Sequence, residues 1–481
     1  MSEDSVSARL PEAARRLFEI YHRAGRSLYL VGGYVRDLLR GAGGEADLDM
    51  ATDAPPEESV RILEDAGIRT VPLGMAYGTV GAVMDPEGGG MVEITTFRCE
   101  EVYPPGDRHP EVRFGDTIEG DLVRRDFTVN AMALDSSGRL IDPTGGERDL
   151  EDRLLRTPGD PLEVMREDPL RMLRAVRFSA QLDFRMHEMV LAAVERGAPR
   201  IAQVAAERCK RELDLLMELE DGAAVAKAFG LMAELGLLAA MVPEMFPLLS
   251  SRGVDQGRHH HLDAWEHTLQ VLANTTTPDV CLRWAALLHD AGKPASRIEE
   301  EGRVRYLGHQ RKGAAIAEGV VGRLRFSRRE RRCVTWLVQN HMRPVGYTDE
   351  WTDSAVRRLA REAGENLDRL MELARADIAA HAPEGTVSGA ARLEGLHRRL
   401  EELSLPDHRR VLPREAGKRL ARMVPEARRE EVGRLLHELE TAVARGELEI
   451  MPPVEECIRY LRKRGELAGL ENGQNDQPGS R

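Results

Sequence analysis

Apolar positions follow two different rhythms along this chain. From Leu28 to about Asp142 they come as short runs punctuated by glycine. Leu28–Val31, Leu48–Ala51, Gly78–Met84, Met91–Phe97 and Ala131–Leu134 read as strands. From Asp149 onward strand signals nearly vanish and apolar residues recur with the 3.6-residue period of amphipathic helices. The clearest is Leu170–Leu182, where Leu173, Val176, Phe178 and Ala180 stand among arginines. Histidines then cluster between His259 and His341 in another helical region. An Arg/Glu/Leu-rich helical stretch runs over about 385–467, and Glu471–Arg481 has the texture of a disordered tail. No internal repeat is visible. The pattern predicts an α+β head over residues 1–147, then helical segments over 148–250, 251–385 and 386–467, and a tail over 468–481.

Composition narrows the class without naming a function. At 481 residues the chain is long enough for two to four domains. Its 42% hydrophobic and 31% charged residues exclude collagen-like and mostly disordered chains. With aromatics at only 4%, the core rests on Leu, Val, Ala and Met. No apolar run reaches the roughly 18–20 residues of a membrane-spanning helix, so no membrane partner is expected. Met1–Glu12 lacks a basic region followed by an apolar one, so no secretory signal is expected. Cys99, Cys209, Cys281, Cys333 and Cys457 are far apart and odd in number, which fits a reducing cytoplasm rather than a disulfide framework. A net charge of −13 argues against sequence-wide attraction to nucleic acid but leaves room for local basic surfaces.

The first chemical constellation lies in the head. The buried-strand pattern Leu28-Tyr29-Leu30-Val31 runs into Gly32-Gly33, and Val35–Leu39 continues as a helix. A glycine turn exposes N–H groups at a helix start, a natural seat for phosphates. Next comes Asp47-Leu48-Asp49-Met50. Residues two apart on a strand share a face, so Asp47 and Asp49 project together while Leu48 and Met50 face the core. Two close carboxylates repel unless a cation lies between them, and oxygen ligands suit Mg²⁺. In Met91-Val92-Glu93-Ile94-Thr95 the alternation offers Glu93 as a third ligand. Three carboxylates on adjacent strands suit two-metal phosphoryl transfer.

These residues, together with Val31-Gly32-Gly33-Tyr34-Val35-Arg36-Asp37, Arg124-Arg125-Asp126-Phe127-Thr128-Val129-Asn130 and Glu167-Asp168-Pro169-Leu170-Arg171-Met172-Leu173-Arg174, resemble the class II tRNA nucleotidyltransferase and poly(A) polymerase family. The resemblance covers about Leu28–Phe184, with a weaker continuation in Glu207-Arg208-Cys209-Lys210-Arg211-Glu212-Leu213. It implies a DNA polymerase β-like nucleotidyltransferase head followed by an elongated all-α body. It also implies template-independent addition of CMP and AMP from CTP and ATP to tRNA. Asp47, Asp49 and Glu93 would hold the catalytic metals. Gly33 and Arg36 would contact the nucleotide, and Arg125 and Asp126 the ribose and phosphates. Asp168 and Arg171 would read the base, while Arg174 and Arg177 match further nucleotide-binding positions.

A carboxylate that accepts and a guanidinium that donates can together read a Watson–Crick edge. Pro169 suits a first helical position, with Asp168 before it as N-cap. At ~100° per residue, Arg177 falls opposite Asp168, which points to a phosphate or structural role. Gly74–Val80 resembles the glycine-containing segment of CCA-adding members. Arg98–Asp116 reads as a polar loop where the family carries a flexible loop, which favours complete CCA addition or terminal A addition. A-only addition and poly(A) synthesis remain alternatives.

The second constellation is His267, His289-Asp290, His309, His341 and Asp377, in the order of the HD phosphohydrolase superfamily, which it resembles. Imidazole and carboxylate together suit a second divalent transition-metal ion that polarises a phosphate. His289 and Asp290, being adjacent, would flank one metal from a helix end. A different class of reading makes the chain an HD hydrolase with an RNA-binding head. His259-His260-His261 reads as a junction loop. Arg323–Arg332 and the arginines from Arg398 to Arg422 offer phosphate contacts, with salt-bridged helices as the alternative.

Overall fold

The computed structural model describes residues 10–41, 48–84, 90–102, 111–250, 263–300, 303–381, 383–404, 412–425, 428, 430–449, 451–467 and 470. Asp47, His259-His260-His261 and nearly all of the expected tail lie outside them. The chain divides into two compact units, Met1–Tyr347 with Glu365–Leu393, and Thr348–Gly364 with Glu394–Arg481.

The head is a seven-stranded mixed sheet. Its strands are β1 (Leu28–Val31), β2 (Leu48–Thr52), β3 (Arg69–Gly74), β4 (Thr79–Val83), β5 (Met91–Thr96), β8 (Ala133–Leu134) and β9 (Leu140–Ile141), in the order β3-β4-β5-β2-β1-β8-β9. β1 runs antiparallel to both β2 and β8, whereas β2 and β5 are parallel. The apolar runs explain the centre of the sheet: Leu30, Met50, Ala51, Val80, Ala82, Val92 and Ile94 are all buried. The helix α1 (Gly33–Leu39) follows β1 directly.

The segment Arg98–Asp116 is more than a polar loop. β6 (Arg98–Val102) and β7 (Glu111–Phe114) pair as an antiparallel hairpin whose tip lies outside the described residues. Gly78 explains why the hairpin can sit beside β4. At φ +86° it adopts a left-handed conformation, and a Cβ there would lie 2.7 Å from the Phe114 ring.

Helices follow. Those that position functional groups are α2 (Leu170–Leu182), α3 (Ala206–Met217), α4 (Ala264–Ala273), α5 (Val280–Leu288), α6 (His309–Arg323), α7 (Arg328–Asn340) and α8 (Leu367–Ala379). Buried Leu173, Val176 and Phe178 confirm the stripe read on α2, and Leu213, Leu216 and Met217 form the equivalent stripe on α3. In the second unit Ala416, Leu420, Leu435, Leu439 and Leu461 are fully buried in a core of their own.

Candidate functional site

A cleft of about 640 Å³ opens between the head sheet and α2. It is lined by Gly32, Gly33, Arg36, Asp49, Glu93, Arg125, Asp126, Asp168, Arg171, Arg174 and Arg177, so the described residues expected at the nucleotide site converge there. Asp49 pairs in register with Glu93 on the parallel neighbour and with Val31 on the antiparallel one, which sets the two carboxylates side by side on one face. Gly32 makes this approach possible. Its φ is +74°, and a Cβ there would stand 3.3 Å from Arg125 Nη1 and 3.6 Å from Asp49 Oδ2. The donor set Asp49 and Glu93, hard oxygens on a rigid sheet, fits a divalent cation such as Mg²⁺.

Around the carboxylates the arginines are held in fixed poses. Arg36 is 4% exposed, donates to Asn130 Oδ1 at 2.8 Å and forks onto Asp37 at 2.8 and 2.9 Å. Arg125 donates to Asp121 at 2.9 and 3.2 Å. Asp126 accepts from Arg174 Nε at 2.8 Å, from Asn130 Nδ2 at 3.2 Å and from the Phe127 amide at 2.8 Å. Burial works to raise the Asp126 pKa, but the Arg174 charge and the hydrogen bonds from Arg174 and Asn130 hold it below the usual carboxylate range.

The start of α2 behaves as its sequence implies. Pro169 already has helical angles, and Asp168 Oδ1 accepts from the Leu170 amide at 3.1 Å in the manner of an N-cap. Asp168 Oδ2 accepts from Arg208 at 2.8 Å. Arg171 donates to the Arg124 carbonyl at 3.0 Å and the Val164 carbonyl at 3.3 Å. Arg177 departs from the wheel-based expectation, because it lines the same cleft as Asp168. Asp168 is extended (φ −135°, ψ 101°) and precedes the helix, so counting 100° per residue from it misplaces Arg177. The Arg177 guanidinium is buried, donating to Glu212 at 2.7 Å and to Gln181 at 2.7 Å. Glu212 also accepts from Arg174 at 3.2 Å.

Sequence reasoning assigned no role to Arg208, Glu212, Asp121 or Asn130, although they hold the expected residues in place. The Glu207–Leu213 motif was the available signal for Arg208 and Glu212. Arg98, at the base of the hairpin, also lines the cleft and donates to the Tyr77 carbonyl at 2.8 Å.

The histidine–aspartate set converges as a second, separate cluster. His267 lies on α4, His289 and Asp290 directly follow α5, His309 opens α6, His341 follows α7 and Asp377 lies on α8. All are buried, from 1% exposed for His267, His289 and His341 to 8% for His309. His267 Nε2 is 3.0 Å from Asp377 Oδ1, His289 Nε2 is 3.1 Å from Asp290 Oδ2, and His309 Nε2 is 3.3 Å from His341 Nε2. The Nδ1 atoms of His289, His309 and His341 bond to the carbonyls of Ala286, Tyr306 and Val338 at 2.7, 2.9 and 2.7 Å. This arrangement turns each Nε2 inward, the orientation that a metal-ligating imidazole needs.

Two overlapping triples, His267-His289-Asp290 and Asp290-His309-His341, have donor atoms within 4.8 Å of one another. The mixed imidazole–carboxylate set fits a divalent transition ion. Burial, reinforced by the His289 charge, pushes His341 down to about 4, which favours the neutral, ligating form. Lys293, quoted in the motif but given no role from sequence, sits 2.6 Å from Asp290 Oδ2.

Three of the six arginines in Arg323–Arg332 are paired with acids of the same chain. Arg323 pairs with Glu244 at 2.6 Å, Arg329 with Glu365 at 2.7 Å, and Arg331 with Glu318. Among the described residues, no helix is long and apolar enough to cross a membrane.

Comparison with known proteins follows the same division. Residues 28–156 match a poly(A) polymerase head domain, residues 183–249 a probable RNA- and SrmB-binding site of polymerase A, and residues 259–380 an HD domain. A CCA-adding enzyme of Geobacillus kaustophilus is 42% identical over 228 residues, 47% of this chain and 54% of that protein. The chain thus spans about half the length of the CCA-adding relatives that it matches. The crystal structure of the Bacillus stearothermophilus CCA-adding enzyme in complex with CTP superposes with a TM-score of 0.60 at 26% identity, covering 95% of this chain and 100% of that one. An A-adding tRNA nucleotidyltransferase of Deinococcus radiodurans is 35% identical over 372 residues, 75% of this chain and 78% of its own length. With that identity sustained over three quarters of the chain, this chain belongs to the tRNA nucleotidyltransferase family.

Proposed function

We propose that this chain adds CMP and AMP from CTP and ATP to the 3′ end of tRNA without a nucleic-acid template, building or repairing CCA. One observation carries this reading. The strand carboxylates Asp49 and Glu93 line the same cleft as the carboxylate–arginine set Asp168, Arg171 and Arg174. A nucleotide lying across the cleft would put its phosphates by the sheet and its base by α2. Asp47, Asp49 and Glu93 would hold Mg²⁺, which when bound activates the 3′-hydroxyl and neutralises the leaving pyrophosphate.

The chain's own residues do the rest. Gly33 and Arg36 shape the phosphate end, while Arg125 and Asp126 border the ribose. Asp168 accepts from a base amino group and Arg171 donates to the ring edge, each already oriented by hydrogen bonds. Arg174 and Arg177, paired with Asp126 and Glu212, border the same wall of the cleft. In this reading residues 1–147 catalyse, 148–250 select the base and contact RNA, 251–385 hold a second divalent transition metal, and 386–467 follow the RNA by shape. The protein works in the cytoplasm, where Cys209, Cys281, Cys333 and Cys457 stay reduced.

A second reading, addition of the terminal A only, is favoured by the A-adding relative, whose similarity covers more of the chain than that of the CCA-adding ones. The deciding measurement is extension of end-labelled tRNA ending before CCA, after C and after CC, with CTP, ATP or both. Growth that stops after three nucleotides, CTP being used before ATP, supports full CCA synthesis. Extension of only the CC-ending transcript by ATP assigns A addition, and long A tails on unrelated RNA assign poly(A) synthesis. Failure to incorporate either nucleotide with Mg²⁺ overturns the reading and leaves the HD cluster as the active centre.

A further inference from the structure

Helix α3 has two working faces. Arg208 and Glu212, one turn apart, point to the cleft, where Arg208 holds Asp168 at 2.8 Å and Glu212 holds Arg177 at 2.7 Å and Arg174 at 3.2 Å. Lys210 and Asp214, offset by two residues and so by roughly 200°, belong to the other side. Lys210 Nζ lies 2.5 Å from Asp214 and 3.0 Å from Glu330 Oε1, and 4.3 Å from the centre of the Phe326 ring. Glu330 is no loose surface acid. Its other oxygen accepts from the Ser327 amide at 2.7 Å in the capping box that opens α7.

The C-terminal end of α3 is fixed as well. Arg283 on α5 is fully buried and donates to the carbonyls of Met217 at 2.5 Å, Leu219, and Glu220 at 3.2 Å, and to Thr275 Oγ1 at 3.1 Å. The Phe326 ring beside Lys210 packs edge-on against Trp284, the next residue of α5. The helices that grip α3 are therefore the two whose C-terminal ends deliver His289-Asp290 and His341.

We propose that the HD-type domain serves nucleotide selection as a buttress: through Lys210 and Arg283 it holds α3, and α3 holds the base-reading Asp168 and the neighbouring Arg174 at their working positions. Lys210 and Arg283 are positioning residues, since neither lines the cleft. This role is independent of any hydrolysis at the histidine–aspartate cluster. It rests on the reading of the cleft as a nucleotide site.

The physical argument is one of rigidity. A pair that reads a base edge works only if carboxylate and guanidinium keep their separation to a fraction of an ångström. Asp168 lies at an extended junction before α2 and is steadied from outside that junction by Arg208. An α3 free to slide would carry Arg208 and Glu212 with it and loosen both supports at once.

The test uses the full-length protein and steady-state extension of tRNA lacking the 3′ nucleotides. KM and kcat for CTP and ATP are measured for Lys210→Met, Glu330→Gln, the double variant and Lys210→Arg. Glutamine keeps the capping-box acceptor and removes only the charge. The expected result is a rise of about three- to tenfold in nucleotide KM for each single variant, with kcat within about twofold. The double variant should be no worse than the poorer single one, and Lys210→Arg should recover most of the loss. Should Lys210→Met fail to fold, Lys210→Gln carries the same comparison.

Variants that lower the unfolding temperature yet leave both KM values unchanged overturn the buttress, as does simple additivity in the double variant. Wild-type protein that incorporates neither nucleotide overturns the underlying reading of the cleft instead.

Discussion

The two polar centres of this chain are built on opposite terms with water. In the head, Asp49 is half-buried and Glu93 exposed on a sheet surface, at the floor of a cleft wide enough for a nucleotide. In the helical body, four imidazoles and two carboxylates are almost wholly buried, three of the rings anchored through Nδ1 to backbone carbonyls. An open carboxylate pair suits an ion that arrives with its substrate and leaves with the product. A sealed ring of preoriented nitrogens suits an ion that stays. Two metal-competent clusters in one chain thus imply two different ligand lifetimes.

The sharpest break in that comparison comes from Asp49→Ala. It should lower nucleotide incorporation by about a thousandfold or more in a protein with unchanged circular dichroism, read by end-labelled tRNA extension. The counterpart is His289→Ala combined with Asp290→Ala. Metal that co-purifies with the wild type should disappear from the variant by elemental analysis, while incorporation stays within about threefold. Loss of nucleotide incorporation in a folded double variant would refute the separation of the centres.

The smallest effect concerns pH. Asp126 titrates below its ordinary value of 3.8, so its contribution to stability is complete above that value and is lost as pH falls through the lower, folded-state pKa. Asp126→Asn should flatten that part of the acid limb of a melting-temperature profile and leave the neutral range nearly level. An unchanged acid limb would show that the Arg174 pairing contributes no net stability.

Much of the head was legible because its chemistry is written with a period of two. Leu48, Asp49 and Met50 declare their faces by alternation, and so do Val92, Glu93 and Ile94; the parallel register then needs only the pairing of β2 with β5. The histidine–aspartate order was equally readable, including the placement of His289 and Asp290 at a helix end. What sequence did not show is support from a distance. Arg208 meets Asp168 across 40 residues and Glu212 meets Arg177 across 35, with no local periodicity linking the partners. The β6–β7 hairpin is hard to read because Arg98-Cys99-Glu100-Glu101-Val102 carries no period-two alternation, and a helix count that starts from the extended Asp168 misplaces Arg177.

The parallel pairing of β2 with β5 also dictates when the two strand carboxylates can meet. β1 and β2 are chain neighbours in an antiparallel ladder, so Val31 and Asp49 find each other across a short connection. Asp49 and Glu93 come together only after a helix and two further strands have been made and laid beside them. Closing that larger loop costs more entropy than pairing β1 with β2, which places this contact after theirs. A nascent chain therefore displays its glycine turn and first aspartates well before it owns a metal-competent face. The paired carboxylate face of this head is therefore acquired after the first strand pairing but ahead of the longer closure of β8 onto β1.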